Sequence, residues 1–149
     1  MRGRLRLGVI TTAKYFAPEV LGDFSRLYPG IEVALKVTNR NRIIERMQAN
    51  EDDLYVTGQL PAEGIDAEAF PIAPNPLVVM APRDHPLVGK RNISLERISK
   101  EPFIMREPGS GIRDATLRIF EEKGLHPKIR MELGSNEAIK YSIVSGLGI

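Results

Sequence analysis

An order of elements that occurs twice constrains this chain more than anything else in it. In the first half, Leu5, Leu7 and Val9 alternate with Arg6, Gly8 and Ile10, the two-residue period of a strand. The loop Thr11-Thr12-Ala13-Lys14-Tyr15 follows. Phe16, Ala17, Val20, Leu21, Phe24, Leu27 and Tyr28 then recur at helical spacing, and Pro29-Gly30 stops that helix. Ile31, Val33, Leu35 and Val37 alternate with polar neighbours, Asn39 closes the strand, and Ile43, Ile44 and Met47 mark a second helix. From Pro102 the order returns: the strand Phe103-Ile104-Met105, the loop Glu107-Pro108-Gly109-Ser110-Gly111, and a helical stripe of Ile112, Ala115, Ile119 and Phe120. The strand Ile129, Met131, Leu133 comes next, then Asn136 and a last helix through Ala138, Ile139, Ser142 and Ile143.

Strand–helix–strand crossovers of this length make parallel strands with right-handed connections. The expected fold class is therefore α/β, with two Rossmann-like subdomains, about 1–81 and about 82–149. Ligands in such sheets bind outside the carboxyl ends of the strands. That rule places the loops at Thr11 and Glu107, and the residues near Asn39 and Asn136, on the ligand side of their own sheets. If the halves face each other, the four segments converge on one cleft. Between the halves, Leu54 to Thr57 reads as a strand ending at Gly58. Leu77 to Ala81 is a continuous apolar run, as expected of a strand buried on both faces. Pro61, Pro71, Pro74, Pro76, Pro82 and Pro86 mark turns and crossing segments around it. Gly148-Ile149 reads as the start of another strand, so the sequence is read as a piece of a longer domain.

Composition removes several function classes. There is no cysteine, which excludes disulfides, thiolate catalysis and cysteine-ligated zinc. Hydrophobic residues are 42% and charged residues 27%, ordinary for a folded globular chain. The longest apolar run is far short of the roughly 20 residues that cross a bilayer. The amino end lacks the apolar segment of a signal peptide, so a cytoplasmic location is expected. A net charge of +2 over 149 residues does not build a nucleic-acid surface. Arg2, Arg4 and Arg6 on one strand, and Arg40, Arg42 and Arg46 on one short helix, read as solvated faces.

No catalytic group stands out. His85 and His126, the two histidines, each precede a proline, which favours turn backbone at the surface. Neither has a local partner to make it a general base. Glu51, Asp52 and Asp53 read as a turn before a strand. No metal, cofactor or catalytic site is expected.

The best binding candidate is the loop Glu107 to Arg113. Gly109 and Gly111 permit unusual backbone angles. Ser110 stands at the N-cap of the next helix, where free amides and the helix dipole attract anions. Arg106 and Arg113 add charged donors. Against that stands a plain strand-to-helix turn in which Ser110 merely caps, and from spacing alone the two readings balance. Glu107 opposes a purely anionic ligand unless it pairs with an arginine or accepts from a ligand hydroxyl. Thr11, Thr12 and Lys14 repeat the arrangement before the first helix, with Pro18 near its start.

At this point the residues resemble a known family. The opening "LRLGVITT", "RDHPL" at 83–87 and "GSNEAIKYSIVSGLGI" at the end resemble the effector-binding domain of LysR-type transcription regulators. "TTAKYFAP" at 11–18, "KVTNR" at 36–40, "NEDDLYVTGQ" at 50–59, "NPLVVMAP" at 75–82 and "MREPGSGIR" at 105–113 are similar to the CbbR group, regulators of Calvin-cycle carbon-fixation genes. The resemblance covers nearly the whole chain. It implies two subdomains joined by crossing strands, as in type-2 periplasmic binding proteins, with a small anionic metabolite in the cleft. The expected effectors are a phosphorylated sugar, phosphoglycolate, 2-oxoglutarate or NADPH. The family's ligand contacts fall here on Thr11 and Thr12, on Thr57, Gly58 and Gln59, and on Arg106 to Ser110 with Asn136 nearby. The resemblance further implies a homodimer or tetramer, and promoter DNA bound only through a winged helix-turn-helix that this chain lacks. A solute-binding protein of a transport system is the competing reading. An enzyme would need an acid–base pair that these loops do not offer.

Overall fold

The computed structural model describes residues 2–60 and 64–149, so Met1 and Pro61 lie outside the described residues. The chain divides into two compact units, Met1–Pro71 and Ile72–Ile149. Each is an α/β layer built on a parallel sheet.

In the first unit, β1 (Gly3–Ile10) is the central strand. It pairs in parallel with β2 (Ile31–Thr38) along its whole length, from Gly3–Ile31 to Ile10–Thr38. On its other side, Leu7 to Val9 pair with β3 (Leu54–Val56), again in parallel. Two helices cover the sheet, α1 (Ala17–Leu27) and α2 (Arg40–Gln48). Side chains alternate across a strand. Leu7 and Val9 therefore share one face, where they are buried with Ala13 and Ala17 and flanked by Leu21 and Val56. Gly8 faces the other way, under α2 and the turn that follows it. A Cβ on Gly8 would come 2.7 Å from Asp52 Oδ2 and 2.9 Å from the Tyr55 ring, so glycine is what allows this approach.

That approach is fixed by a polar knot. The Tyr55 hydroxyl donates to the Arg46 carbonyl at 2.8 Å and accepts from the Asp52 amide at 2.9 Å. Arg46 grips the buried Asp52 carboxylate with two donors, Nε and Nη2, each at 2.8 Å. The acidic turn of 51–53 is thus a set of arginine partners rather than a solvated loop. Arg6 does the same for Asp53, with Nη2 on Oδ1 at 2.8 Å. These contacts hold the Asp53 carboxyl below its ordinary range and the guanidinium of Arg6 above its own, in both cases chiefly through their mutual hydrogen bond.

The second unit centres on β4 (Pro102–Arg106), buried from Phe103 onward, paired in parallel with β5 (Lys128–Leu133). The register shifts between Phe103 and Ile104. Helix α4 (Gly111–Glu121) crosses between them, and its Phe120 meets Phe103 edge-on at 5.8 Å. Helix α5 (Asn136–Val144) follows β5. Ile149 lies along the free edge of β4, donating to the Pro102 carbonyl at 2.9 Å and accepting from the Ile104 amide at 2.8 Å, as a strand start there requires.

Two expectations differ from the structure. Leu77–Ala81 is not a strand: no described strand runs beside it, and Pro74, Pro76 and Pro82 withhold ladder donors. The side chains from Leu77 to Met80 are exposed, Val78 to 76%, and only Ala81 packs against the core of the second unit. A further helix, α3 (Leu95–Ser99), stands where none was expected. Its start is marked in the sequence by Ser94, whose hydroxyl accepts from the Arg97 amide at 3.2 Å.

Candidate functional site

Because β1, β2 and β3 are parallel and in register, the segments after Ile10, Thr38 and Val56 leave the same edge of the sheet. Thr11, Thr12 and Lys14 follow β1, Asn39 follows β2, and Thr57, Gly58 and Gln59 follow β3. The first unit therefore gathers all seven of its expected site residues at its carboxyl edge. All are half-buried except Gly58 and Gln59, which are exposed. Asn39 is occupied as the N-cap of α2, accepting from the Arg42 amide at 3.1 Å.

The loop after β1 departs from expectation in one respect. A 3-10 turn, Ala13–Tyr15, stands between Thr12 and α1, and Phe16 rather than a threonine precedes that helix. Pro18 is within the first turn of α1, as expected. The amides of α1 are therefore not offered at Thr12, and what this loop brings is hydroxyls and the Lys14 ammonium. Lys14 Nζ sits 5.4 Å from the centre of the Tyr15 ring.

In the second unit, Arg106 ends β4 opposite Leu133 at the end of β5, so Glu107 and Asn136 leave one edge as well. Among the described residues Arg106 is the most buried charged side chain, 1% exposed, and its guanidinium is committed. Nε and Nη2 hold the two Glu107 oxygens at 2.7 and 3.0 Å, and Nη1 donates to Asn136 Oδ1 at 2.6 Å. Arg113 donates to the Arg106 carbonyl at 2.8 Å and pairs with Glu132. Glu107 is thus balanced by an arginine, and neither arginine is a loose anion clamp.

Ser110 occupies the N-cap position of α4 and is buried, yet its side chain accepts no bond from the amides of the first turn. Ser110 thus stands at the N-cap as expected, but its hydroxyl makes no cap bond. The hydroxyl and the first-turn amides of α4 are left as separate polar groups at the carboxyl edge. Gly109 has φ +86°, which only glycine adopts without strain; Gly111 does not need that freedom. The match between Asn39 and Asn136 is one residue out: Ser135 caps α5, accepting from Ala138 at 3.3 Å, and Asn136 is the first helical residue. That offset turns Asn136 toward Arg106 instead of toward its own helix.

His85 is half-buried rather than on the surface. Its Nδ1 accepts from the Leu87 amide at 3.3 Å, and Nε2 lies 3.5 Å from Glu101, which also pairs with Arg97. Glu101 precedes β4, at the end of the strand away from the site loops. Among the described residues no group of three or more metal-ligating side chains occurs, and no helix is long and apolar enough to cross a membrane.

Comparison with known proteins places this arrangement. The family model for the LysR substrate binding domain matches residues 1–149. The transcriptional activator CmpR of Synechocystis is 50% identical over 99% of this chain and 48% of its own length. A RuBisCO operon transcriptional regulator of Acidithiobacillus ferrooxidans is 48% identical over the same share of each. The chain spans about half the length of these relatives. Among solved structures, the regulatory domain of Synechocystis CcmR in complex with 2-PG superposes with a TM-score of 0.94 at 56% identity, covering 99% of this chain and 70% of that one. The QuiR effector-binding domain, 24% identical with a TM-score of 0.87, shares the fold. With its parallel-sheet units and a family match from end to end, the chain belongs to the LysR substrate-binding domains.

Proposed function

We propose that this chain is the metabolite-sensing domain of a LysR-type regulator of carbon-fixation genes, and that its effector is a small phosphorylated acid, 2-phosphoglycolate first among the candidates. The observation that carries the reading is the Ser110 hydroxyl. It is buried at the start of α4, is not spent on capping, and stands beside a Glu107 already balanced by Arg106. A phosphate or carboxylate there would meet a hydroxyl and helix-start amides, with Glu107 balanced by Arg106 and Asp114 the carboxylate of the first turn. The relatives support the pathway: they include a RuBisCO operon transcriptional regulator and the transcriptional activator CmpR, and the CcmR regulatory domain was solved in complex with 2-PG.

In this reading Thr11, Thr12, Lys14 and the 57–59 loop are the first unit's own ligand-facing groups. The ligand shifts a population between two conformational states, which needs differential affinity rather than tight binding. Dimers or tetramers pass the change to DNA-binding segments elsewhere in the whole regulator. The transport-protein reading draws no support from relatives that are transcription regulators.

A thermal-shift series with 2-phosphoglycolate, ribulose bisphosphate, 2-oxoglutarate, NADPH and sulfate tests this. Ligand at 100 times its Kd stabilises by about 2.7 kcal/mol. A shift with one organic anion and none with sulfate supports the reading. No shift from a folded sample with any of them overturns it.

A further inference from the structure

Arg40 is absent from the expected site, yet it does for the first unit what Arg106 does for the second. Its Nε and Nη2 both donate to one acceptor, the backbone carbonyl of Gln59, at 3.2 and 3.1 Å. This joins the segment after β2 to the segment after β3. In the second unit Arg106 joins the segments after β4 and β5 through Asn136. We propose that Arg40 is the positioning residue of the effector site's first half, holding the Thr57–Gln59 loop in its ligand-ready conformation. The inference rests on the sensing function proposed above for that edge.

Three observations carry it. First, Arg40 is the first residue of α2, whose first turn holds no acidic side chain. A cation there faces the positive end of the helix dipole, so the position is locally unfavourable and is offset by the contact across the edge. Second, the loop needs a hold. β3 is three residues long, and beyond Val56 no ladder bond secures Thr57, Gly58 or Gln59. Third, the other end of α2 is already fixed, because Arg46 grips Asp52 just before β3. The helix is therefore a rigid strut that spans β3 from the turn before it to the loop after it. Arg40 is its working end. The acceptor is backbone, so the hold does not depend on the Gln59 side chain. A guanidinium reaches one carbonyl with two donors, which a lysine ammonium on a flexible stem does not reproduce.

Arg42 is the built-in control. It lies in the same first turn and carries the same charge, but it pairs within the helix, with Glu45 at 2.6 Å. The full chain and its Arg40→Ala, Arg40→Lys and Arg42→Ala variants are compared in two assays. The first is hydrogen exchange at Gly58, Gln59 and Leu60 without ligand; the second is calorimetric titration with 2-phosphoglycolate. Arg40→Ala speeds exchange at the three amides and raises Kd about tenfold, Arg40→Lys restores only part of both, and Arg42→Ala changes neither. Equal weakening by Arg40→Ala and Arg42→Ala, with exchange unchanged, would mean that bulk charge and not position is at work, and the proposal falls. Unchanged exchange in Arg40→Ala also overturns it, whatever the titration gives. Faster exchange with no 2-phosphoglycolate binding by the unaltered chain upholds the clamp and removes the effector assignment, so the two failures are told apart.

Discussion

Arg106 and Asn136, thirty positions apart, are joined by a 2.6 Å bond from Nη1 to Oδ1. The bond bridges the end of one strand and the first residue of the helix after its neighbour. It is what makes the carboxyl edge of the second unit a single surface instead of two loops.

Arg106→Met removes the partner of Glu107 and of Asn136 in one step. Losing one member of a buried, hydrogen-bonded charge pair costs roughly 3 kcal/mol. Arg106→Lys recovers little, because a single ammonium does not fit both oxygens of Glu107 and the Asn136 amide. Urea unfolding of the three proteins checks this; a loss under about 0.5 kcal/mol for Arg106→Met would show the edge to be held otherwise.

Ser110→Ala leaves the fold in place, since the hydroxyl does not cap α4, and its stability cost falls below the ~1 kcal/mol of a lost cap. Effector affinity drops by about tenfold if the hydroxyl donates to the bound anion. Paired melting curves with and without 2-phosphoglycolate separate the two effects.

Gly8→Ala forces a methyl against Asp52 and the Tyr55 ring. Overpacking of this kind costs about 1–3 kcal/mol. Tyr55→Phe, which removes the hydroxyl shared by Arg46 and Asp52, costs about 1 kcal/mol. The two changes act on one contact, so the double variant should lose less than their sum.

Acid titration of stability has a sign fixed by Asp53. Its pKa is lowered in the folded chain by Arg6, so its contribution is present above the unfolded value of about 3.9 and is lost as pH falls through the folded value. Glu96 beside Lys100 acts in the same direction. Urea midpoints of the unaltered chain and Asp53→Asn, measured from neutral pH downward, should differ at pH 6 and converge at the acid end. Curves that stay parallel would remove Asp53 from the acid response.

Periodicity exposed the fold because burial leaves it in the sequence: Leu7 and Val9 must alternate to lie under α1, and Phe120 must fall on the inner face of α4. The placement of the candidate residues at strand ends was legible, since parallel strands fix which loops share an edge. What the sequence did not carry is orientation. Ser110 has the identity and position of a cap but makes no cap bond. Arg113 has the charge of an anion donor and spends it on Glu132 and a carbonyl. Arg40 reads as a solvated charge because its acceptor is a backbone atom, and a carbonyl leaves no residue type to recognise. Leu77–Ala81 has a strand's composition, but strands are made by neighbours, and composition does not name them.

The three-residue β3 has a consequence for how the chain folds. Its pairing with β1 joins Leu7 to Leu54, a contact far apart along the chain, so loop-closure entropy must be met before any of its ladder bonds form. Its ladder is short, so its docking leans on the Arg46–Asp52 and Arg6–Asp53 pairs in the turn before it. Thr57–Gln59 follow that strand, so the first unit's candidate ligand loop hangs on three ladder pairs, a segment that opens at low local cost.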